Sequence, residues 1–431
     1  MPALAALVAA AVCLQLAVES GLAILNMRHV ENAQAVPPEL AGAVDAALAE
    51  RTREYTLAKS RLGLVHGAWS TAVTLAILLS GFLPGLDAAL ARAGLQGPHR
   101  FVAFLVVVGV VVALSSLPFS IYGSFVLEER FGFNRTSLGL WLKDRLKGLL
   151  LGAVIGIPLL YAIYWFMAAT GGAWWIWVTV FLAAVQIVMV WLYPTLIAPL
   201  FNEFKPLADG ALRERVERLA SSAGFRTRGI FVMDASKRSG HSNAYFVGFF
   251  RPRIVLFDTL VRQMSEDEAA AVLAHEIGHY KARHIHKRLA LGIVSMALTF
   301  WVLSLLLEWP ALFTAFGFEG PSRHAALALF SLAGGAFTFF LDPFWSWLSR
   351  KHEFEADRYS ARLVGSPAPL RSSLVRLNGE NLSNLNPHPW YSAWHYSHPP
   401  LVERLAALGG QGAPPPSNDA SGRGYAASQG S

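Results

Sequence analysis

Residues 271–280 read AVLAHEIGHY, which sets two histidines four residues apart in an apolar segment. On a helix, residues four apart lie on one face, so His275 and His279 can offer imidazole nitrogens to one zinc ion. Glu276 follows His275 directly, and zinc lowers the pKa of a bound water to about 7, so that this carboxylate can take the proton. HExxH alone is a weak signal, and its meaning depends on the surrounding sequence.

The residues around the motif favour a helix. The segment SEDEAAAVLAHEIGHYKARH, residues 265–284, is strongly helical in composition. Ser265 and Glu268 have the spacing of a capping box, in which each side chain bonds the backbone N–H of the other residue. We therefore expect both histidines to lie on one face of a helix that begins near Ser265.

The composition excludes an ordinary soluble enzyme. Of the 431 residues, 54% are hydrophobic and 15% are charged, and the mean hydropathy is +0.40. Such values indicate a membrane protein, and a helix needs about 20 apolar residues to cross a bilayer. Seven segments of the sequence meet that requirement. They lie near residues 3–26, 66–86, 101–122, 148–169, 173–199, 288–308 and 325–348.

The basic residues alternate with these segments. Most of the 36 lysines and arginines lie in the four regions that follow or border the first, third, fifth and seventh segments. The exceptions are Arg92, Arg100 and Arg323. Positive residues collect on the cytoplasmic side of a membrane protein, which predicts seven crossings with the N-terminus outside. The net charge of +7 is then explained by topology, and we expect no nucleic-acid partner. Cys13 is the single cysteine, so no intramolecular disulfide can form.

These observations divide the chain into five predicted regions. Residues 1–199 hold five spans, residues 200–287 form a cytoplasmic insert, residues 288–348 hold two spans, residues 349–407 form a C-terminal catalytic segment, and residues 408–431 form a disordered, Gly-, Pro- and Ser-rich tail. Within the insert, residues 209–225 predict a helix, 228–236 a strand, and 243–261 a hairpin turning at Arg251-Pro252. The predicted fold is therefore mostly α, with a small β-sheet in the insert.

A zinc hydrolase needs a third protein ligand and one open coordination position. The extended pattern HExxHxxGxxH fails here, because Ala282 and Ile285 occupy its glycine and last histidine positions. His284 and His286 are out of register with that pattern, and we interpret them as basic-loop residues at the membrane edge.

A separate helix offers an alternative source for the third ligand. Residues 349–365, SRKHEFEADRYSARLVG, place Glu353 and Asp357 four apart on one helix face. Glu353 can ligate zinc, and Asp357 can accept a hydrogen bond from the other ring nitrogen of a ligating histidine. Glu355 is expected to point into solvent. Both helices leave the membrane on the same predicted side, so they can meet.

Two readings outside the protease class remain open on the residues alone. A transporter or channel with an incidental histidine pair would be expected to carry ionisable residues in mid-span, and few are found, although Glu19 is unexplained and Asp342 lies near the end of the last span. A catalytically inactive scaffold would be expected to lack a metal ligand or the base. All four of these residues are present, namely His275, Glu276, His279 and Glu353.

Several further motifs carry a family resemblance. Beside HEIGH (275–279) and EFEAD (353–357), the chain contains HSNAYFVG (241–248) followed by RIVLFDTL (253–260), YPTLIAPLFNEFKPL (193–207) and WHYSHPPLVERLAAL (394–408). With seven spans, these motifs resemble the integral-membrane zinc metalloproteases called type 1 CAAX prenyl proteases. The resemblance covers roughly residues 1–407, and the residue usage resembles that of a bacterial member.

The resemblance implies a role for each matching position. His275, His279 and Glu353 would bind one Zn²⁺, and Glu276 would be the general base. Asn243, in an edge strand, would hold substrate or the transition state, and His398 would hydrogen-bond the developing oxyanion. Arg404 would hold that segment near the site.

The resemblance also implies an architecture and a substrate class. The seven helices would enclose a chamber with the zinc domain as its cap. The enzyme would hydrolyse peptide bonds near the C-terminus of prenylated or other membrane-associated substrates, in contact with membrane lipid. The alternative within the class is a quality-control zinc protease of membrane proteins with no prenyl substrate. In a bacterium the protein would lie in the inner membrane, with its active site on the cytoplasmic side.

Overall fold

The computed structural model describes residues 2–33, 36–225, 227–247 and 253–409. Within these residues, seven helical segments are long and apolar enough to cross a membrane, as the sequence predicts. They are Ala3–Asn32, Ala46–Leu79, Gly97–Arg130, Leu138–Ala169, Gly171–Phe201, His284–Leu307 and Arg323–Val364. Their outward faces carry exposed apolar side chains such as Leu149 and Leu150, each 67% exposed, which suits contact with lipid.

The first five segments and the loop between the second and third contain eight α-helices. These are α1 (Pro2–Asn32), α2 (Ala46–Leu79), α3 (Phe82–Arg92), α4 (Gly97–Tyr122), α5 (Glu128–Arg130), α6 (Leu138–Ala169), α7 (Trp174–Leu192) and α8 (Ala198–Phe201). Asp45 accepts the N–H of Leu48 at the start of α2, and Ser137 accepts that of Leu140 at the start of α6. Each therefore satisfies a backbone donor that a helix start leaves unpaired.

The predicted limits of the second span are wrong. The expected segment was 66–86, but α2 begins at Ala46 and ends at Leu79. Gly81 then adopts φ of +80° in the turn that leads into α3, a backbone conformation that glycine adopts readily. Hydropathy detects only the apolar part of a helix, and it could not detect the polar turns that precede Ser60.

The insert builds a four-stranded sheet against two helices. Its elements are β1 (Phe204–Pro206), α9 (Ala211–Ser222), β2 (Ile230–Met233), β3 (Ala244–Val247), β4 (Arg253–Phe257), α10 (Asp258–Gln263) and α11 (Glu266–Lys281). The strand order is β1-β2-β4-β3, and β3 pairs with β4 antiparallel as the hairpin prediction requires. The predicted turn at residues 251–252 lies outside the described residues. Because β3 is the last strand in this order, its outer edge has no strand partner among the described residues.

The remainder of the chain is helical. Its helices are α12 (His284–Leu307), α13 (Pro310–Ala315), α14 (Arg323–Ala333), α15 (Gly335–Thr338), α16 (Asp342–Val364), α17 (Ala368–Glu380), α18 (Pro389–His395) and α19 (Leu401–Ala407). Leu408, which the sequence assigned to the disordered tail, is buried in a cluster with Leu405 and Leu370. That prediction is wrong at residues 408–409, and residues 410–431 lie outside the described part of the chain.

The membrane helices run alternately up and down. One apolar cluster joins the beginnings of α4, α7 and α14 to the ends of α2, α6 and α12. At the opposite end of the bundle, Arg238 of the insert donates to Asp144 in the first turns of α6, at 2.8 and 3.1 Å. The catalytic motifs and most of the basic loops therefore lie at one end of the bundle.

Candidate active site

The helix that carries HEIGH is fixed at its start. The Ser265 hydroxyl accepts the N–H of Glu268 at 3.2 Å, and the Glu268 carboxylate accepts the N–H of Ser265 at 2.9 Å, so the predicted capping box is confirmed. Glu268 is 4% exposed, and it also accepts hydrogen bonds from Ser372 and Arg376 of α17. This charge-assisted network holds α11 against α17.

The helices α11 and α16 cross with their backbones in contact. A Cβ atom built on Gly278 would lie 3.0 Å from the Cα of Ala356 and 3.0 Å from the Cβ of Tyr359. One turn away along the crossing, Ser360 donates to the carbonyl of Ala271 at 2.7 Å. Only glycine allows so close an approach, and this approach brings the EFEAD segment to the histidine pair.

Three side chains meet at this crossing. The Nε2 atoms of His275 and His279 are 3.1 Å apart, and the Glu353 carboxylate lies 3.5 Å from the first and 3.2 Å from the second. Four ligands at about 2.0–2.1 Å from a tetrahedral zinc ion are about 3.3 Å from one another. The three donor atoms therefore have the separation that one tetrahedral metal ion requires.

The burial of these groups points to the same conclusion. Glu353 is 2% exposed and His275 is 7% exposed. Burying a carboxylate without a positive partner raises the free energy of the folded state. Two imidazole nitrogens that face each other at 3.1 Å also repel each other if both present a lone pair, unless a cation lies between them. A divalent cation among the three atoms satisfies all of them. The residues present thus fit a metal ion.

The outward nitrogen of His275 has a carboxylate beside it. Its Nδ1 lies 2.8 Å from Asp357 Oδ1, and Asp357 is 1% exposed. Arg404 donates to both oxygens of Asp357, at 2.8 and 2.6 Å. The contact with Asp357 favours a proton on Nδ1 and leaves the Nε2 lone pair to face the metal position. Asp357 and Arg404 therefore lie together, directly behind His275.

His279 has an equivalent partner that the sequence interpretation missed. Its Nδ1 lies 2.9 Å from Nδ1 of His284, whose Nε2 lies 3.0 Å from Glu355 Oε2. His284 is the first residue of the sixth candidate membrane segment, in agreement with the predicted membrane edge. The prediction of a loop residue is wrong, because His284 begins α12 and is 1% exposed. The solvated position predicted for Glu355 is also wrong, since this side chain is 32% exposed and pairs with His284.

The cause of that error is a break in the helix. The helix α11 ends at Lys281 and Arg283 adopts φ of +55°, so the helical register of His279 does not continue to His284. The chain reverses there into α12, which places His284 beside His279. An arginine with positive φ has no distinctive sequence signal. Only the segment HEFEAD (352–357) could have suggested a role for a further histidine.

Glu276 is partly exposed, yet it lies among the charges of the site. Burial is the largest cause of its shift and raises the pKa of the Glu276 carboxyl to about 7. The nearby charges of His275, Glu353 and His398 change that pKa in opposing directions. A carboxyl group with a pKa near neutrality can exchange protons efficiently at neutral pH.

Asn243 and His398 line one cavity of about 620 Å³ together with Arg404. Asn243 directly precedes the edge strand β3, and its side-chain oxygen accepts the N–H of Ala244 at 2.8 Å. His398 is 65% exposed, and its Nδ1 lies 2.8 Å from Glu353 Oε2. The cavity thus lies beside the three-residue cluster, which His398 contacts, and reaches the start of the edge strand. A larger intramembrane chamber remains a prediction.

A second network that the sequence did not reveal holds the loop before β3. The Tyr55 hydroxyl donates to Glu128 at 2.6 Å, and the other oxygen of Glu128 lies 3.3 Å from Nε2 of His241. Asn381 accepts the N–H of Ser242 at 3.0 Å. These contacts join the ends of the membrane helices to the loop that carries Asn243, so the edge strand has a fixed position over the cavity.

Comparisons with known proteins agree with this arrangement. A family model described as "CAAX prenyl protease N-terminal, five membrane helices" matches residues 26–203, and a model of "Peptidase family M48" matches residues 206–411. The CAAX prenyl protease 1 homolog of Oryza sativa subsp. japonica is 41% identical, over 86% of this chain and 90% of its own length. CAAX prenyl protease 1 of Saccharomyces cerevisiae is 37% identical, over 86% and 88%.

A solved structure extends the similarity to the whole fold. The crystal structure of S. mikatae Ste24p superposes with a TM-score of 0.87 at 34% sequence identity, and the match covers 94% of this chain and 98% of that one. Both family models, the identities and the coverage agree. The chain therefore belongs to the CAAX prenyl protease 1 family of M48 peptidases and is an integral, multi-pass membrane metallopeptidase.

Proposed function

We propose that this protein is a zinc endopeptidase that cuts peptide bonds near the C-terminus of prenylated or other membrane-associated substrates. The observation that carries the proposal is the buried triangle of His275, His279 and Glu353, with edges of 3.1–3.5 Å. Two imidazoles and one carboxylate are a ligand set typical of catalytic zinc. The cavity beside them is large enough for several residues of an extended peptide.

The side chains around the three metal ligands have separate roles. A bound zinc ion supplies Lewis acidity, which polarises a peptide carbonyl and makes water a stronger acid. Glu276 accepts the proton of the attacking water on a carboxylate oxygen and passes it to the leaving amine nitrogen. Asp357 and His284 hold the outer nitrogens of the two histidines, so the Nε2 lone pairs keep their direction.

The cavity walls would bind and orient the substrate. The open edge of β3 can pair with an extended peptide through backbone hydrogen bonds, and Asn243 lies at the beginning of that edge. His398 would donate to the oxygen of the scissile carbonyl as negative charge develops there. Its Nδ1 contacts Glu353 Oε2, so the donation would come from Nε2 of a His398 ring that carries a proton on both nitrogens.

The location of the site in the cell is part of the proposal. The catalytic motifs lie at the end of the bundle that carries most of the basic loops, and such loops favour the cytoplasmic side. We therefore infer a cytoplasmic active site and an outside N-terminus, in the inner membrane if the source is a bacterium. Labelling of single-cysteine variants of intact cells with a membrane-impermeant reagent tests this orientation, with the native Cys13 replaced.

Cleavage of a defined peptide tests the activity. The purified protein in detergent is incubated with a farnesylated peptide that ends in a CAAX sequence, and product masses are measured with and without a chelator. We expect loss of the three C-terminal residues, abolished by the chelator and by Glu276→Gln. Cleavage of only an unprenylated membrane peptide would favour the quality-control alternative, and full activity of Glu276→Gln would refute the assigned base.

A further inference from the structure

Lys59, in the second membrane helix, lines the cavity beside His275, His279 and Glu353. Lys59 lies on α2, one turn after Tyr55, and is exposed. It lines the 620 Å³ cavity that also contains Asn243 and His398. It also lines a second cavity of about 250 Å³, which reaches Glu19 in the first span. Lys59 therefore stands where the two cavities adjoin.

The charge of Lys59 has only indirect partners within the fold, the Tyr55 ring and the carboxylate of Glu128. Its Nζ lies 4.9 Å from the centroid of the Tyr55 ring, and it forms no ion pair of 4.0 Å or less with another described residue. The nearby carboxylate of Glu128 already accepts the Tyr55 hydroxyl and contacts His241. Glu19 faces the same second cavity but is not within ion-pair distance of Lys59.

The other permanent cation of the large cavity is already paired. Arg404 also lines it, but its Nε and Nη2 donate to Asp357 at 2.8 and 2.6 Å. Among the described lining residues, Lys59 is thus the cation available to a ligand. An ammonium group in a partly enclosed cavity attracts an anion more strongly than one on an open, flat surface does.

We propose that Lys59 binds the terminal carboxylate of the peptide substrate. The inference rests on the proposed function, because a protease that removes three residues from a C-terminus has a carboxylate three residues beyond the scissile bond. Three extended residues span about 10 Å, and a sphere of 620 Å³ is about 11 Å across. The cavity is therefore large enough for the three residues, and because Lys59 lines it, the terminal carboxylate would reach Lys59 while the scissile bond lies beside His275, His279 and Glu353.

This contact would make Lys59 a specificity determinant. A charged hydrogen bond to a carboxylate contributes about 10- to 100-fold in affinity. A peptide that ends in an uncharged amide has the same length and the same side chains, but it leaves Lys59 without a partner. Recognition of the chain end would thus select C-terminal segments over internal ones.

Binding of two matched peptides tests the proposal without requiring cleavage. The full-length protein in the Glu276→Gln background is titrated with a fluorescent farnesylated peptide that ends either in a carboxylate or in an amide. We expect the carboxylate form to bind about 10- to 100-fold more tightly. Lys59→Gln should remove this preference by weakening only the carboxylate form, and Lys59→Arg should retain it.

Arg61→Gln is the matched control. Arg61 is an exposed cation two residues along the same helix, it pairs weakly with Glu31 at 3.6 Å, and it lines neither cavity. This variant should keep the full preference for the carboxylate. Equal affinity of the unaltered Lys59 protein for both peptides, or equal weakening of both by Lys59→Gln, would overturn the proposal.

The same reagents separate this proposal from the proposed function. If the protein with Glu276 intact cleaves both peptides but binds them equally, the peptidase stands and the role of Lys59 is refuted. If binding depends on Lys59 and the carboxylate but no peptide is cleaved, the binding site stands and the assigned reaction is refuted.

Discussion

Gly278→Ala tests whether the close crossing of α11 and α16 positions the three metal ligands. The added methyl would lie 3.0 Å from backbone and Cβ atoms of α16, whereas ordinary contacts begin at 3.4 Å. The atoms that it meets, the Cα of Ala356 and the Cβ of Tyr359, cannot rotate away. Relief of the clash therefore requires the two helices to separate by about 0.4 Å or more.

The expected magnitude follows from two opposing effects. An overpacked contact of this kind costs about 1–3 kcal/mol, and replacing glycine by alanine inside a helix returns about 0.5–1 kcal/mol. We expect a net loss of about 1–2 kcal/mol in unfolding free energy. Because Glu353 moves with α16, the distances between donor atoms change by more than the 0.2 Å that a metal site tolerates, and zinc affinity should fall about 10-fold or more.

The measurement has a matched control. Zinc affinity is determined by competition with a chromophoric chelator, and stability by thermal unfolding in one detergent. Gly292→Ala, in the neighbouring helix α12, adds a methyl with no atom within 4 Å and should change neither quantity for the worse. If Gly278→Ala binds zinc and unfolds like the unaltered protein, the close crossing is not what positions Glu353.

Three further predictions concern the groups around the cluster. Asp357→Ala should weaken zinc binding about 10- to 100-fold, because it removes the partner of His275 Nδ1; unchanged affinity in the chelator competition would exclude that function. His284→Ala should weaken zinc binding by a similar factor, whereas His284→Gln, which can still accept the His279 proton, should recover part of it; equal loss in both variants would indicate a packing role alone. Ser265→Ala should lower the unfolding free energy by about 1 kcal/mol through loss of the helix cap, with unchanged activity per folded molecule, and an altered specific activity would contradict a purely local role.

The membrane helices could be predicted from the sequence because hydropathy depends on local composition. All seven spans are found, but their ends differ where polar turns continue a helix, as in α2 before Ser60. The strand β1 could not be predicted, because Phe204–Pro206 is three residues long and ends in proline. Its pairing with β2 depends on the fold around it.

The candidate site could be predicted because residue spacing along a helix, like hydropathy, is a local property of the sequence. His275 with His279, and Glu353 with Asp357, are each four apart on a continuous helix, so their common faces follow from the spacing. The site residues that the sequence missed depend on chain reversals or on distant contacts. His284 follows the left-handed Arg283, and the network of Tyr55, Glu128 and His241 joins three separate elements.

The zinc content of two carboxylate variants tests the central claim most directly. Glu353→Ala removes an assigned ligand, and Glu276→Gln removes the assigned base from the same site. The account predicts that Glu276→Gln retains one zinc per chain while cleavage falls by about 100-fold or more, and that Glu353→Ala loses both zinc and cleavage. Full zinc occupancy in Glu353→Ala, or undiminished cleavage by Glu276→Gln, would contradict it.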